Sequence, residues 1–104
     1  MVFQVEWSPE AARDIEEIKD YIRRDSEFYA YVVAEKIIGL GRKIERFPKA
    51  GAIVPELGDE TIRERSIYSY RLIYQILGKK AIVLAVVHGK RLLSSLGGRF
   101  GESI

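Results

Sequence analysis

Six cations or proton carriers in the second half of the chain could handle an anion. Arg63 and Arg65 flank Glu64, Arg71 follows, and His88, Lys90 and Arg91 stand just beyond the apolar run Ala81-Ile82-Val83-Leu84-Ala85-Val86-Val87. A guanidinium offers paired N–H donors that match a phosphate or carboxylate. Histidine exchanges a proton near neutral pH. His88 is the only histidine, and it sits where a buried strand should emerge into solvent. A rigid strand end of this kind can hold side chains at a surface for chemistry or recognition.

Charge is distributed unevenly. Residues 1–62 hold nine Lys/Arg against thirteen Asp/Glu, and residues 63–104 hold eight against two, within an overall +2. A basic second half points to an anionic partner, nucleic acid or an acidic protein. Arg63, Arg65, Arg71, His88, Lys90 and Arg91 are expected to converge on one contact surface. The competing structural reading of Arg71 is a pair with Glu64 or Glu6 across a sheet.

The elements that must position these groups are readable from pattern. Phe3, Val5 and Trp7 alternate with polar residues, which predicts a strand over 1–7. Ser8-Pro9 then caps and opens a helix. Ala11, Ile15, Ile18 and Ile22 form its apolar stripe, with Arg13, Asp14, Glu16, Glu17, Lys19 and Asp20 on a solvated face. Asp25-Ser26 caps a second helix over about 27–47, burying Val33, Ile37, Leu40, Ile44 and Phe47. Gly39 and Gly41 weaken that helix and imply close packing. Residues 9–47 therefore form an antiparallel helical hairpin.

A surface loop follows over 49–59. Strands over 62–67 and from Tyr70 onward, joined by Tyr68-Ser69, lead through Gly78-Lys79-Lys80 to the apolar run and make an antiparallel meander over 62–87. Alternation puts Arg63 and Arg65 on one face of their strand and Ile62 and Glu64 on the other. The continuous run 81–87 predicts a central strand covered on both faces. The reading is one α+β domain over 1–104, a two-helix hairpin on a small antiparallel sheet in the order β-α-α-β-β-β, with a tail over 92–104.

The chain has 104 residues, no cysteine and no apolar stretch of about 18 residues. Disulfides are excluded, and with one histidine a structural zinc site, or any metal or cofactor, is not expected. No membrane span or signal peptide is expected, and a cytoplasmic location fits.

The sequence resembles the RelE/ParE superfamily of bacterial toxins, the poison half of toxin–antitoxin pairs and often labelled plasmid stabilisation proteins. The resemblance spans about residues 3–91. It is carried by Val5-Glu6-Trp7-Ser8-Pro9-Glu10-Ala11, Asp14-Ile15, Tyr21-Ile22, Phe47-Pro48, Gly51, Arg63-Glu64, Tyr70-Arg71-Leu72-Ile73-Tyr74 and Val87-His88-Gly89-Lys90-Arg91. It implies the same fold, a cognate antitoxin as partner in a hetero-oligomer, and one of two activities.

RelE-like members cut mRNA on the ribosome. The ribose 2′-OH attacks the phosphate, which needs a base, cations and an acid. Here the set would be Glu64 as base, Arg65 and Arg71 on the phosphate, and His88 as acid. Glu64 points away from Arg63 and Arg65. The lysines and C-terminal tyrosine of that branch are missing: no Lys lies between Lys49 and Lys79, and no Tyr follows Tyr74. The ending His-Gly-x-Arg resembles the ParE-like branch, which inhibits DNA gyrase without a known bond cleavage. That branch is the favoured implication, with the nuclease and a non-toxic nucleic-acid-binding domain as alternatives. Phe28, Tyr29 and Tyr31 cannot all face a core and are candidates for the antitoxin groove. Trp7 is expected in the core, and Tyr68, Tyr70 and Tyr74 as ordinary strand residues more than as stacking platforms.

Overall fold

The computed structural model describes residues 3–103. Strand β1 (Gln4–Trp7) leads to helices α1 (Pro9–Arg23) and α2 (Glu27–Arg46). Strands β2 (Ala52–Ile53), β3 (Ile62–Ile67), β4 (Tyr70–Leu77) and β5 (Lys80–His88) follow, and a C-terminal 3-10 segment (Leu93–Ser103) closes the chain. The first two residues of the strand expected over 1–7 and the last of the tail expected over 92–104 lie outside the described residues.

Both helices start where the sequence places them. The Ser8 hydroxyl accepts from the Ala11 amide at 3.0 Å, and that of Ser26 from Tyr29 at 3.0 Å. Each cap satisfies an otherwise orphaned N–H and is worth about 1 kcal/mol. The sheet runs β1-β5-β4-β3-β2. The meander β3-β4-β5 is antiparallel, with Ile67 opposite Tyr70 and Leu77 opposite Lys80 across two-residue turns. Tyr68 holds φ 53°, the left-handed conformation such a turn demands.

The fold class is the α+β hairpin-on-sheet expected, with two differences of detail. β1 pairs parallel to β5, so the sheet is mixed. No turn connects these strands, so no local signal sets their relative direction. The expected loop also contains β2, whose two residues are too few to show a period.

Helices cover one face of the sheet. There Leu72, Tyr74, Val83 and Val86 meet Ala11, Ile15 and Ile22 of α1 and Val33, Ile37, Leu40 and Ile44 of α2. The C-terminal segment covers the other. Its Leu93, Leu96 and Phe100 join Val54 on Ile62, Ile73, Ala85 and Val87. The continuous apolar run is thereby buried on both sides.

Three placements differ from expectation. Phe47 caps the end of α2 and is 59% exposed, because the helix ends there and turns it outward. Asp14 is buried, not solvated. β1 stops at Trp7, opposite Val83, so β5 beyond that point has no strand neighbour on that side. Asp14 takes the neighbour's place: its carboxylate accepts from the Val86 amide at 2.9 Å. Arg99 completes the cover, donating to Asp14 at 2.6 and 3.1 Å and to the Leu84 carbonyl at 3.3 Å. An open edge is satisfied by side chains from α1 and the C-terminal segment. The third difference concerns glycine. A Cβ at Gly41 would lie 3.3 Å from the Trp7 ring, so close packing explains it. A Cβ at Gly39 would meet nothing within 4 Å, so packing does not explain it.

Candidate functional site

Register decides which of the six groups can meet. Side chains directly opposite one another in a sheet share a face. Ser66 opposes Arg71 and Glu64 opposes Ile73, so Arg71 and Glu64 share the face under the C-terminal segment. Arg63 and Arg65 oppose Tyr74 and Leu72 on the helix-covered face, and His88 opposes Tyr70 there.

Arg71 is fully engaged. Its Nε donates to Glu64 at 2.6 Å, and its two terminal nitrogens grip Glu56 at 2.7 and 2.9 Å. The hydrogen bond from Arg71 holds the Glu56 carboxyl below its ordinary value, and Glu56 in turn pushes the guanidinium up. This network ties the loop before β3 to the middle of the sheet. Of the two partners foreseen for Arg71, Glu64 is present, while Glu6 pairs with Lys80 at 3.4 Å. Glu56 arrives from a loop fifteen residues away, which no local pattern signals.

Arg63 also serves the fold. Its terminal nitrogen donates to the carbonyls of Lys49 and Gly51 at 3.2 and 2.9 Å, pinning the segment after α2. Arg65 makes no ion pair with a described residue, and the Nε atoms of Arg63 and Arg65 are buried without a partner. The expected single surface therefore divides. Arg63 and Arg65 turn to the helix-covered face, while His88, Lys90 and Arg91 stay together at the exit of β5; Arg71, though held by Glu64 and Glu56, lines a small pocket there with His88 and Lys90.

That exit borders a groove of about 500 Å³ between α1, the start of α2 and the β4–β5 end of the sheet. Tyr21, Tyr29, Tyr68, Tyr70, His88 and Arg91 line it, with Asp14 and Glu17 at the α1 side. His88 is exposed, accepts at Nδ1 from the Lys90 amide at 3.2 Å, and meets Tyr70 edge-on with ring centres 6.0 Å apart. Burial, first, and the neighbouring Tyr21 and Tyr29 raise the Tyr70 hydroxyl above its ordinary value. Of the three aromatics singled out in the sequence, Tyr29 lines this groove. Phe28 and Tyr31 are 76% and 61% exposed on another side of α2. Tyr21, Tyr68 and Tyr70 join the groove from three separate elements. Their exposure is a tertiary fact, although six tyrosines in 104 residues hinted at it.

A sequence profile described as the ParE toxin of type II toxin–antitoxin systems, parDE, matches residues 5–93. The chain belongs to the ParE toxin family. No curated protein matches the sequence. Among solved structures, the chromosomal ParDE toxin–antitoxin system of P. aeruginosa is similar, with a TM-score of 0.70 at 18% identity, covering 83% of this chain and 95% of that one. The RelBE2 toxin–antitoxin complex of Mycobacterium tuberculosis gives 0.61 at 16% identity, covering 85% and 99%. A double arginine-to-alanine mutant of the E. coli toxin RelE in the free state gives 0.62 at 17% identity, covering 86% of each chain. At these identities the neighbours share the fold of this ParE-family chain, a fold common to the RelE/ParE superfamily. No helix among the described residues is long and apolar enough to cross a membrane.

Proposed function

We propose that this ParE-family chain acts as a single toxin domain that inhibits DNA gyrase by binding, and that a cognate antitoxin neutralises it in the cytoplasm. The observation that carries the choice is the fate of Glu64 and Arg71. Cleavage by a ribose 2′-OH needs a base, a phosphate clamp and an acid around one phosphate. Here the base and clamp neutralise each other at 2.6 Å, while Arg65 and His88 belong to the opposite face. A binding mechanism asks for none of that convergence. Its target-facing groups would be His88, Lys90 and Arg91, exposed at the rigid end of β5.

The antitoxin would occupy the tyrosine-lined groove, where Tyr29 contributes to the lining, and would continue around α2 over the exposed Phe28 and Tyr31. Aromatic anchors that keep a polar tip suit a protein partner. The deciding experiment runs gyrase supercoiling beside ribosome-dependent mRNA cleavage on the purified chain. Supercoiling is inhibited, His88→Ala keeps most of that inhibition because a binding surface loses one neutral contact and no catalyst, and Arg91→Ala weakens it about tenfold, the loss of one interface charge. Transcripts cut at codon boundaries, with supercoiling intact, would replace this reading by the RelE-like nuclease.

A further inference from the structure

The outer half of β5 presents an unfinished edge. β1 ends opposite Val83, so Leu84 to His88 have no strand on that side. The Val83 carbonyl still faces β1 and accepts from the Ser8 amide at 3.0 Å. Leu84 has no partner in the register with β4, and this bulge shifts the alternation by one residue. Beyond it, Ala85 and Val87 pair with Ile73 and Arg71, and the Gly89 amide donates to the Ser69 carbonyl at 2.7 Å. The backbone groups of Val86 and His88 therefore turn to the open edge. The Val86 amide indeed donates to Asp14, and the Leu84 carbonyl accepts from Arg99. The His88 carbonyl accepts from the Arg91 amide at 2.9 Å. Two groups remain, the Val86 carbonyl and the His88 N–H. No loop amide or side chain among the described residues bonds either one. Val86 is only 2% exposed, and a buried carbonyl without a partner is uncommon. The tyrosine groove borders this edge, with Val86, Val87 and His88 in its lining.

These two groups dictate what fits. An antiparallel strand exchanges both bonds with one facing residue. Val86 cannot offer both, because Asp14 holds its amide, and His88 cannot, because Arg91 holds its carbonyl. A parallel strand bonds differently: one of its residues donates to the carbonyl before the residue opposite and accepts from the amide after it. The Val86 carbonyl and the His88 N–H flank Val87 as that pair. We propose that an extended segment of the antitoxin adds to the sheet here, parallel to β5, with one residue opposite Val87. This deepens the reading that the antitoxin occupies the tyrosine groove, and rests on it. The pleat then fixes the side chains of the segment. The residue opposite Val87 shares its face, on the side of the C-terminal segment. Its two neighbours point into the tyrosine groove and are apolar or aromatic. The C-terminal end of the segment lies toward Lys90 and Arg91, where a carboxylate fits. A helix in the groove would leave both backbone groups unanswered, because its own bonds are internal.

The probe is the antitoxin fragment that survives limited proteolysis of the complex purified with this chain. On binding, amide exchange at His88 slows about tenfold or more, while the Val86 amide, already held by Asp14, changes little. His88→Pro deletes the N–H at an edge position that tolerates proline. It weakens binding about tenfold beyond His88→Ala, the worth of one hydrogen bond. Circular dichroism and the Val86 exchange rate show that the fold is kept. A nitroxide on the C-terminal end of the fragment broadens the signals of Arg91 more than those of Val83; the reverse pattern marks an antiparallel partner and overturns the proposal. Unchanged exchange at His88, with equal affinities of the proline and alanine variants, overturns strand addition. The groove reading survives that result if Tyr21→Ser or Tyr68→Ser still weakens binding, and falls with it if neither does. Protection of His88 that appears in the free chain at high concentration makes the occupant a second copy, and that too overturns the proposal.

Discussion

The two faces of the sheet are sealed by different physics. The helix-covered face is closed by two long amphipathic helices whose buried residues, from Ala11 to Ile44, recur at helical spacing. The opposite face is closed by a short terminal segment, Leu93, Leu96 and Phe100, together with ion networks at Arg71 and Arg99. Where a hairpin of helices supplies the apolar cover, cations are free to stay at the surface. Where the cover is thin, cations are consumed in holding it down. Arg71 was expected on a basic contact surface and is a fastener, as is Arg99. Lys90 and Arg91, at the β5 exit, make no ion pair with a described residue.

Truncating one buried side chain on each face tests this contrast, and gives the largest effects expected. Ile37 is wholly buried under the helices, so Ile37→Ala lowers unfolding stability by about 2–5 kcal/mol. Phe100 is 4% exposed, and the same logic would give about 3–5 kcal/mol. If this terminal segment opens as a local unit, its loss is capped at the free energy of that opening, about 1–2 kcal/mol. Urea denaturation gives the global values, and amide exchange at Val87 reports the opening. Equal global losses for the two variants would show both covers to be one cooperative unit.

The fastener at Asp14 comes next. Arg99→Ala leaves a buried carboxylate with one backbone donor and lowers stability by about 1–2 kcal/mol, under the same ceiling of local opening and less than a fully buried pair would because Arg99 keeps 21% exposure. Asp14→Asn removes the stranded charge while keeping an acceptor for Val86. The double variant is therefore more stable than Arg99→Ala alone, a non-additivity measured by the mutant cycle. Additive losses would deny that charge is what binds the segment to α1.

The same contrast explains what could be read in advance. Ser8-Pro9, Ser26 and the stripe from Ala11 to Ile22 speak through local rules, and so does the run from Ala81 to Val87. The hairpin and the meander follow from them. The fasteners do not. Arg99 lies 85 residues from Asp14, and Glu56 reaches Arg71 from a loop. Asp14 itself was partly legible: it stands three residues after Ala11 and four before Ile18, within the apolar stripe. A charged residue in a stripe signals a buried partner, though not which one. The parallel pairing of β1 lacks even that signal. Alternation did separate Glu64 from Arg63 and Arg65, which already argued against a convergent catalytic set. The tyrosine groove needed the fold, because Tyr21, Tyr29, Tyr68 and Tyr70 come from two helices, a turn and a strand.

The smallest effect sharpens the comparison through pH. Glu56 is bonded to Arg71 by two terminal N–H groups, and that bond holds its folded-state carboxyl below the ordinary glutamate value of 4.5. A carboxyl with a lowered folded value binds protons more readily when unfolded. Its contribution to stability is therefore fully present above about 4.5 and is lost as pH falls through the lower folded value. Glu56 remains 45% exposed, so solvent screening limits the contribution to a few tenths of a kcal/mol up to about 1. Glu56→Gln should lie below the parent in urea midpoint at pH 7, and the gap should close as pH falls below 4.5. Raising salt shrinks the same gap, because this partner of Arg71 faces water. Ile37→Ala shows neither dependence, since its loss is apolar packing. If the Glu56→Gln gap persists unchanged at pH 3, the loop is held by contacts other than its charge, and the terminal face is fastened more like the helical one than the ion networks suggest.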